Sequence, residues 1–315
     1  MVLIYSLKFN RWTTSAIEDF DIIILSDDTY AHPEDPTEYQ RSILYDDGLV
    51  HHGLEKMGYK VARKSWADPS FDWTMTRYAL FRSTWDYFYR FEEFRSWLTQ
   101  VSGATQLINP HSLIEWNLDK HYLKDLSLRQ VNVVPTHYAY GQDTSTLADI
   151  AKLHHWQDVV MKPTISGTAM DTHYITSTRL AQEEMLFRSL CAKQTMMVQP
   201  FQQFIVDQGE LSLIVIGGQF THSVKKMAKS GDFRVQSDFG GTVAPYEPSP
   251  EEVAFAEHVV SQCPDSPHYA RVDIIYDNEG KLSLVELELI EPELWFRRNP
   301  PAAQQLAEGI AATCP

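Results

Sequence analysis

A chain of 315 residues with 43% hydrophobic and 12% aromatic content can build one large domain or two and is not disordered. Its formal charge of −15, with no lysine-rich run, argues against nucleic acid or an anionic membrane surface as a partner, although a phosphate ligand needs only a local positive pocket. Three cysteines without CxxC spacing indicate neither a disulfide framework nor a structural zinc site, and no run approaches the ~18 apolar residues of a membrane helix.

The opening residues show no convincing signal-peptide pattern, so a soluble, cytoplasmic protein is expected. Residues 1–20 read as a strand with an irregular return. Residues 21–25 (DIIIL) form a buried strand that runs into a polar loop with Pro33 and Pro36. Ile43, Leu44, Leu49, Leu54 and Met57 predict an amphipathic helix stopped by Gly58. Strands over 60–65 and 78–82 complete a β-α-β order, hence a small parallel sheet.

Arg82, Ser83, Thr84 and Asp86 follow the third strand directly, where open parallel sheets bind ligands. They fit a polar or carboxylate substrate, although residue types alone favour an ordinary Arg82–Asp86 ion pair in a loop anchored by Trp85 and Tyr87. A helix over 91–101 and a strand end at 107–110 follow, and residues 116–120 (WNLDK) open another helix, capped by Asn117 or Asp119. The first domain boundary is expected there. Residues 131–138 predict a strand and 147–153 a helix.

Residues 158–162 form a strand that delivers Lys162 into a hydroxyl-rich turn, 163–168, which can bind an anion or simply end the strand. The turn lacks the glycine-lysine order of a Walker A loop. After a strand at 172–176, a helix at 180–192 and a strand at 195–199, the stretch from Gln199 to Phe204 could hold an adenine or serve as a core linker. Residues 210–216 and 219–227 flank Gly217-Gly218 as a hairpin that brings His222 and Lys225 near residues 231–234 (GDFR). His222 reads as structural. Ser249, Pro250 and Glu252 start a helix to about 262, and Pro300-Pro301 start the last one.

Residues 270–276 and 281–292 form a second hairpin about an Asp277–Gly280 turn. Alternation puts Leu282, Leu284, Glu286 and Glu288 on one face, and Asp273 opposite Leu284, diagonal to Glu286 at about 7–8 Å. Three carboxylates converging there suit a hard cation such as magnesium, though a solvated acidic face gives the same pattern.

In this order RSTWDY (82–87), WNLDK (116–120), MKPTISG (161–167), GDFR (231–234), ARVD (270–273) and ELELIEP (286–292) resemble an ATP-grasp ligase. The likeness is to the glutathione-synthetase-type branch, and more closely to the bacterial group containing the O-ureido-serine cyclo-ligase of cycloserine biosynthesis. It implies an α/β (α+β) ATP-grasp fold behind a Rossmann-like N-terminal domain, divided as 1–115 (substrate), 116–200 (lid) and 201–315 (magnesium site). It also implies Lys120, Lys162, Ser166 and Gly167 at the ATP phosphates, Gln199, Pro200 and Phe201 as adenine hinge, and Glu210 at the ribose. Asp273, Glu286 and Glu288 would hold magnesium (or manganese), and Arg234, Lys225 and Arg271 would face the transferred phosphoryl group. Two positions depart from the pattern: the phosphate loop has one glycine where relatives have several, and Glu288 stands where many have Asn. The implied activity is ADP-forming carboxylate–amine (or cyclising) ligation of an amino acid-like or small peptide substrate through an acyl phosphate, in a homodimer or homotetramer. A small-molecule kinase and a non-catalytic nucleotide binder are the alternatives.

Overall fold

The computed structural model describes residues 19–229, 231–232, 234–235 and 240–314, so the strand expected over residues 1–20 lies almost wholly outside them. Strands β1 (Phe20–Ser26), β2 (Val61–Ser65), β3 (Thr76–Ser83) and β4 (Gln106–Ile108) form a parallel sheet ordered β2-β1-β3-β4. The apolar run of β1 follows from burial on both faces. Ile22 and Ile24 pack with Val50 and Leu54 of one helix, and Ile23 and Leu25 with Phe94 and Leu98 of another. The loop after β1 is more regular than its prolines suggest. Asp27 caps the short helix α1 (Asp28–Ala31), and Thr37 with Gln40 forms the capping box that starts α2 (Glu38–Lys56). Helix α3 (Phe91–Ser102) covers the other face.

The expected helix opening at WNLDK is instead a helix ending there. Helix α4 (His111–Leu118) stops at Asp119, whose carboxylate accepts from the His121 N–H, and α5 (Tyr122–Leu128) starts after the break. The strand expected over 131–138 shortens to β5 (His137–Ala139), while Val133 makes an isolated bridge to Leu284. Helix α6 (Leu147–Leu153), β6 (Val159–Pro163), β7 (His173–Ile175), α7 (Glu184–Cys191) and β8 (Met196–Pro200) complete a second, antiparallel sheet ordered β5-β8-β6-β7.

The third sheet follows a short helix, α8 (Phe204–Gln208). It is antiparallel, ordered β11-β10-β9-β12-β13, from β9 (Glu210–Ile216), β10 (Gln219–Met227), β11 (Thr242–Tyr246), β12 (Tyr269–Tyr276) and β13 (Leu282–Glu288). Helix α9 (Pro250–Ser261) begins with the capping box read from Ser249 and Glu252 and packs on this sheet. Helix α10 (Pro300–Thr313) returns to the first sheet, where Ala303, Leu306 and Ile310 join the cluster of Ile22 and Leu54. A Cβ on Gly53 would stand 2.9 Å from Ala307 Cβ, so glycine lets α2 and α10 approach closely.

Two bulges correct the expected strand faces. In the β12–β13 pair, Asp273 lies opposite Glu286 and Ile274 opposite Leu284, leaving Val285 as the extra residue. Asp273 is therefore not opposite Leu284. The extra residue also flips the strand, so Leu282 and Leu284 share a core cluster with Leu287 and Leu289 while Glu286 and Glu288 face away from it. In β10 the register shifts between Phe220 and His222. Among the described residues no helix is long and apolar enough to cross a membrane.

Candidate active site

A cleft of about 490 Å³ is lined by strands of the second and third sheets and by the helix and loop segments that follow β1 and β3 of the first. The acidic wall is set by the outer edge of β13, whose backbone groups are paired with residues 132–134 at Leu284 and, at Leu287 and beyond, by side chains. The Asn117 amide donates to the Leu287 carbonyl (2.8 Å) and accepts from the Leu289 N–H (2.9 Å), and the Leu287 N–H donates to the Tyr122 hydroxyl (3.0 Å). Asn109 does the same further on, donating to Leu289 O and Tyr269 O. Since Asn117 is fixed to β13, Lys120 three residues later reaches that strand, and its ammonium lies 3.2 Å from Glu286 Oε1. It also donates to the Ser166 carbonyl at 2.7 Å.

Asp273, Glu286 and Glu288 all line the cleft. Asp273 accepts from Lys226 Nζ (3.0 Å), Arg271 (2.9 Å) and Ser212 Oγ (2.5 Å); Glu288 pairs with Arg271, and Lys226 also pairs with Glu210. Burial alone would raise the Asp273 carboxyl, but Arg271 and Lys226 outweigh it and hold the group well below the usual carboxylate range. Burial is likewise overcome at Glu286 by Lys120 and Lys162, which lower its pKa. At Glu288 burial wins over Arg271, with repulsion from Asp273 and Glu286, and the carboxyl is pushed up to about 7. Glu291, further along the wall, is raised by burial and then by Glu288 to about 8. Lys162 enters from β6 with no ion-pair partner among the described residues, and burial lowers its pKa.

The remaining expected residues divide. Ser166, Gly167, Gln199, Pro200, Phe201, Glu210, Arg234 and Arg271 line the cleft. Arg234 does so while paired with Asp232 at 2.8 Å. Lys225 does not: its ammonium sits over the Tyr246 ring at 5.8 Å, and the buried Lys226 takes the inward place. Successive strand side chains point to opposite faces, so a one-residue error in reading β10 selects the wrong lysine.

Arg82, Ser83, Thr84 and Asp86 are absent from the cleft wall. Arg82 is buried and donates to Asp47 of α2 at 2.9 Å, Asp86 accepts from Trp66 Nε1 and Arg90, and Thr84 Oγ1 is buried without a partner among the described residues. The Arg82–Asp86 ion pair considered from sequence does not form either. Trp85, Tyr87, Phe88 and Tyr89 of the same loop, with Tyr30 and Tyr39, supply the N-terminal wall instead. Trp85 Nε1 donates to Glu291 O at 2.8 Å and the Tyr39 hydroxyl to Glu293 at 3.1 Å, which tie that wall to the segment after β13. The Asp277–Gly280 turn has a role the sequence did not reveal. Asn278 donates to Phe201 O and accepts from the Gln203 N–H, which pins residues 199–203 at the cleft edge. His222 is satisfied by Thr221 and the Leu294 carbonyl, as its structural reading requires.

This arrangement, with lysines and carboxylates facing each other between two antiparallel sheets, matches a known family. The RimK-like ATP-grasp domain model matches residues 126–290, more than half of the chain. The chain belongs to the RimK-like ATP-grasp family. It is an ATP-dependent ligase of that family, with an α/β fold. Residues 22–109 match the N-terminal domain of D-cycloserine synthetase DcsG. Cycloserine biosynthesis protein DcsG of Streptomyces lavendulae is 29% identical over 284 residues, which span 85% of this chain and 94% of that one. The crystal structure of D-cycloserine synthetase DcsG superposes with a TM-score of 0.81 at 25% identity, covering 93% of this chain and all of the other. D-alanine–D-alanine ligase from Bacillus anthracis shares the fold at a TM-score of 0.64 and 12% identity, over 93% of this chain and 97% of that one.

Proposed function

We propose that this ATP-grasp enzyme is an ADP-forming carboxylate–amine ligase, intermolecular or cyclising, acting on an amino acid-like or small peptide substrate through an acyl phosphate. The observation that carries the reading is the placement of Lys120 and Lys162 in one cleft with Asp273, Glu286 and Glu288. A substrate carboxylate attacks the γ-phosphorus of ATP, ADP leaves, and an amine then displaces phosphate from the acyl phosphate. Such transfer depends on positioning and charge neutralisation more than on covalent help.

Lys162, the cleft lysine without an ion-pair partner among the described residues, and Lys120 meet the phosphates beneath the loop of Ser166 and Gly167. Gln199, Pro200 and Phe201 take the adenine, and Glu210 lies on the ribose side. Arg234 and Arg271 face the transferred phosphoryl group, with Lys226 in the role first assigned to Lys225. The aromatic wall of Trp85, Tyr87, Phe88 and Tyr89 takes the substrate and excludes water, which would otherwise hydrolyse the acyl phosphate. The three sheets support a division into residues 1–115, 116–200 and 201–315.

Asp273, Glu286 and Glu288 offer only oxygen donors, which suits magnesium or manganese. No three acidic, His or Cys side chains among the described residues form a metal-holding group on their own, so an ion here would complete its coordination with nucleotide phosphates. When bound, such an ion neutralises phosphate charge. The free thiols fit a reducing cytoplasm, and the homodimer or homotetramer expected by resemblance remains part of the reading.

Hydroxylamine trapping tests the chemistry. A panel of amino acids and small peptides is incubated with ATP, magnesium and hydroxylamine. A hydroxamate formed together with ADP supports the ligase. ADP with a stable phosphorylated product and no hydroxamate would indicate a kinase, and no ADP with any substrate a nucleotide binder.

A further inference from the structure

The loop between β6 and β7 carries one glycine, Gly167, and its reason is space. A Cβ at Gly167 would stand 2.4 Å from Phe88 Cε1, 2.8 Å from Cδ1 and 2.9 Å from Cζ. The φ of Gly167 is outside the left-handed region, so the backbone there is open to any residue and only the volume is excluded. Thr168, Ala169 and Asp171, by contrast, have φ of 46°, 55° and 50°, a conformation side chains disfavour, so this loop is held in shape by what it touches. Met170 packs on the same aromatic cluster that contains Phe88, Trp66, Phe81 and Phe94. Phe88 is itself buried, with the rings of Tyr87 and Tyr89 beside it at centroid distances of 5.6 and 4.4 Å. Both Phe88 and Gly167 line the cleft, and the neighbouring Ser166 carbonyl accepts from Lys120.

We infer that Phe88 is a positioning residue: its ring edge seats the phosphate loop at Gly167 and so ties the loop's place over the nucleotide to the aromatic wall of the N-terminal sheet. The inference rests on the nucleotide role proposed above for residues 163–168. It also explains why a single glycine suffices in this loop. Freedom elsewhere is unnecessary when a fixed ring defines where the loop lands.

The test is a double-mutant cycle read by binding of AMP-PNP with magnesium, with adenosine as a control ligand that lacks phosphates. Gly167→Ala weakens AMP-PNP binding by on the order of tenfold, because the added methyl overpacks against the ring and lifts the loop. Phe88→Ala/Gly167→Ala recovers most of that loss, since the ring no longer opposes the methyl. Adenosine affinity stays near wild type in Gly167→Ala, and the melting temperature of the apo protein falls by no more than the few degrees that overpacking by one methyl costs. Should Phe88→Ala fail to fold, Phe88→Leu makes the same comparison. Wild-type affinity in Gly167→Ala, or a double variant no better than Gly167→Ala, would overturn the seat while leaving the nucleotide site intact. A wild-type protein that binds no AMP-PNP would overturn the nucleotide site itself, and the seat with it.

Discussion

Lys120 Nζ and Glu286 Oε1 lie 3.2 Å apart, and this pair joins the turn after α4 to the acidic edge strand β13. Lys120 also holds the Ser166 carbonyl, so one ammonium connects the acidic wall to the phosphate loop. Lys120→Met should therefore weaken AMP-PNP binding by at least about tenfold, given that charge-assisted hydrogen bonds contribute ~1.5–3 kcal/mol each. Titration calorimetry checks this, and unchanged affinity would remove Lys120 from the nucleotide site.

Arg82→Ala is expected to act on stability and not on substrate recognition. Arg82 is buried against Asp47, and its loss leaves that carboxylate with Arg63 at 3.2 Å as ion-pair partner and a hydrogen bond from Ser83 Oγ. Breaking a buried ion pair costs about 3–5 kcal/mol, and the remaining Arg63 places the effect near the lower end. A clear fall in melting temperature with unchanged substrate KM is the expected pair of results. A raised substrate KM at unchanged stability would return Arg82 to the binding site.

Lys225 and Lys226 are adjacent but face opposite ways, so their alanine variants should differ sharply. Lys226→Ala leaves Asp273 and Glu210 without their shared buried cation and should lower both stability and ADP formation. Lys225→Ala removes an exposed-side cation–π contact, worth about 0.5–1 kcal/mol. Steady-state ADP release from the two variants separates them.

Glu291 gives a pH dependence. Burial, then Glu288, push its carboxyl from 4.5 up to about 8, so the folded protein keeps a proton there that the unfolded chain has released. Stability is therefore lost as pH rises from about 4.5 to about 8. Glu291→Gln should stabilise the nucleotide-free protein by roughly 1–3 kcal/mol at pH 8.5 and scarcely at pH 4.5. Thermal melts at the two pH values check the sign, and a gain confined to pH 4.5 would contradict it.

Elements marked by strong local signals were legible in the sequence. The Ser249–Glu252 capping box, the Gly217-Gly218 hairpin and the apolar β1 all stand where residue chemistry put them. Most of the residues that motifs and order assigned to the site do line the cleft, whereas its aromatic wall and Lys226 were not read from sequence. What failed was strand parity and neutralisation. The bulges at Val285 and near Thr221 change which residues share a face, and nothing local announces an extra residue in a ladder. Arg82 looked available because its partner Asp47 lies 35 residues earlier, on another element. Asn117 and Asn278 carry backbone pairing and hinge contacts that a sequence shows only as two more polar residues.

The most direct measurement is substrate-stimulated, magnesium-dependent ADP release by wild type, Asp273→Asn and Glu286→Gln across an amino-acid and small-peptide panel. Arg271 keeps Glu288 and Lys226 keeps Glu210 in the first variant, so the fold should survive and melting temperatures should stay within a few degrees. Wild type is predicted to release ADP, with both folded variants reduced by on the order of a hundredfold or more. Undiminished release in both would contradict a nucleotide site built on this acidic strand.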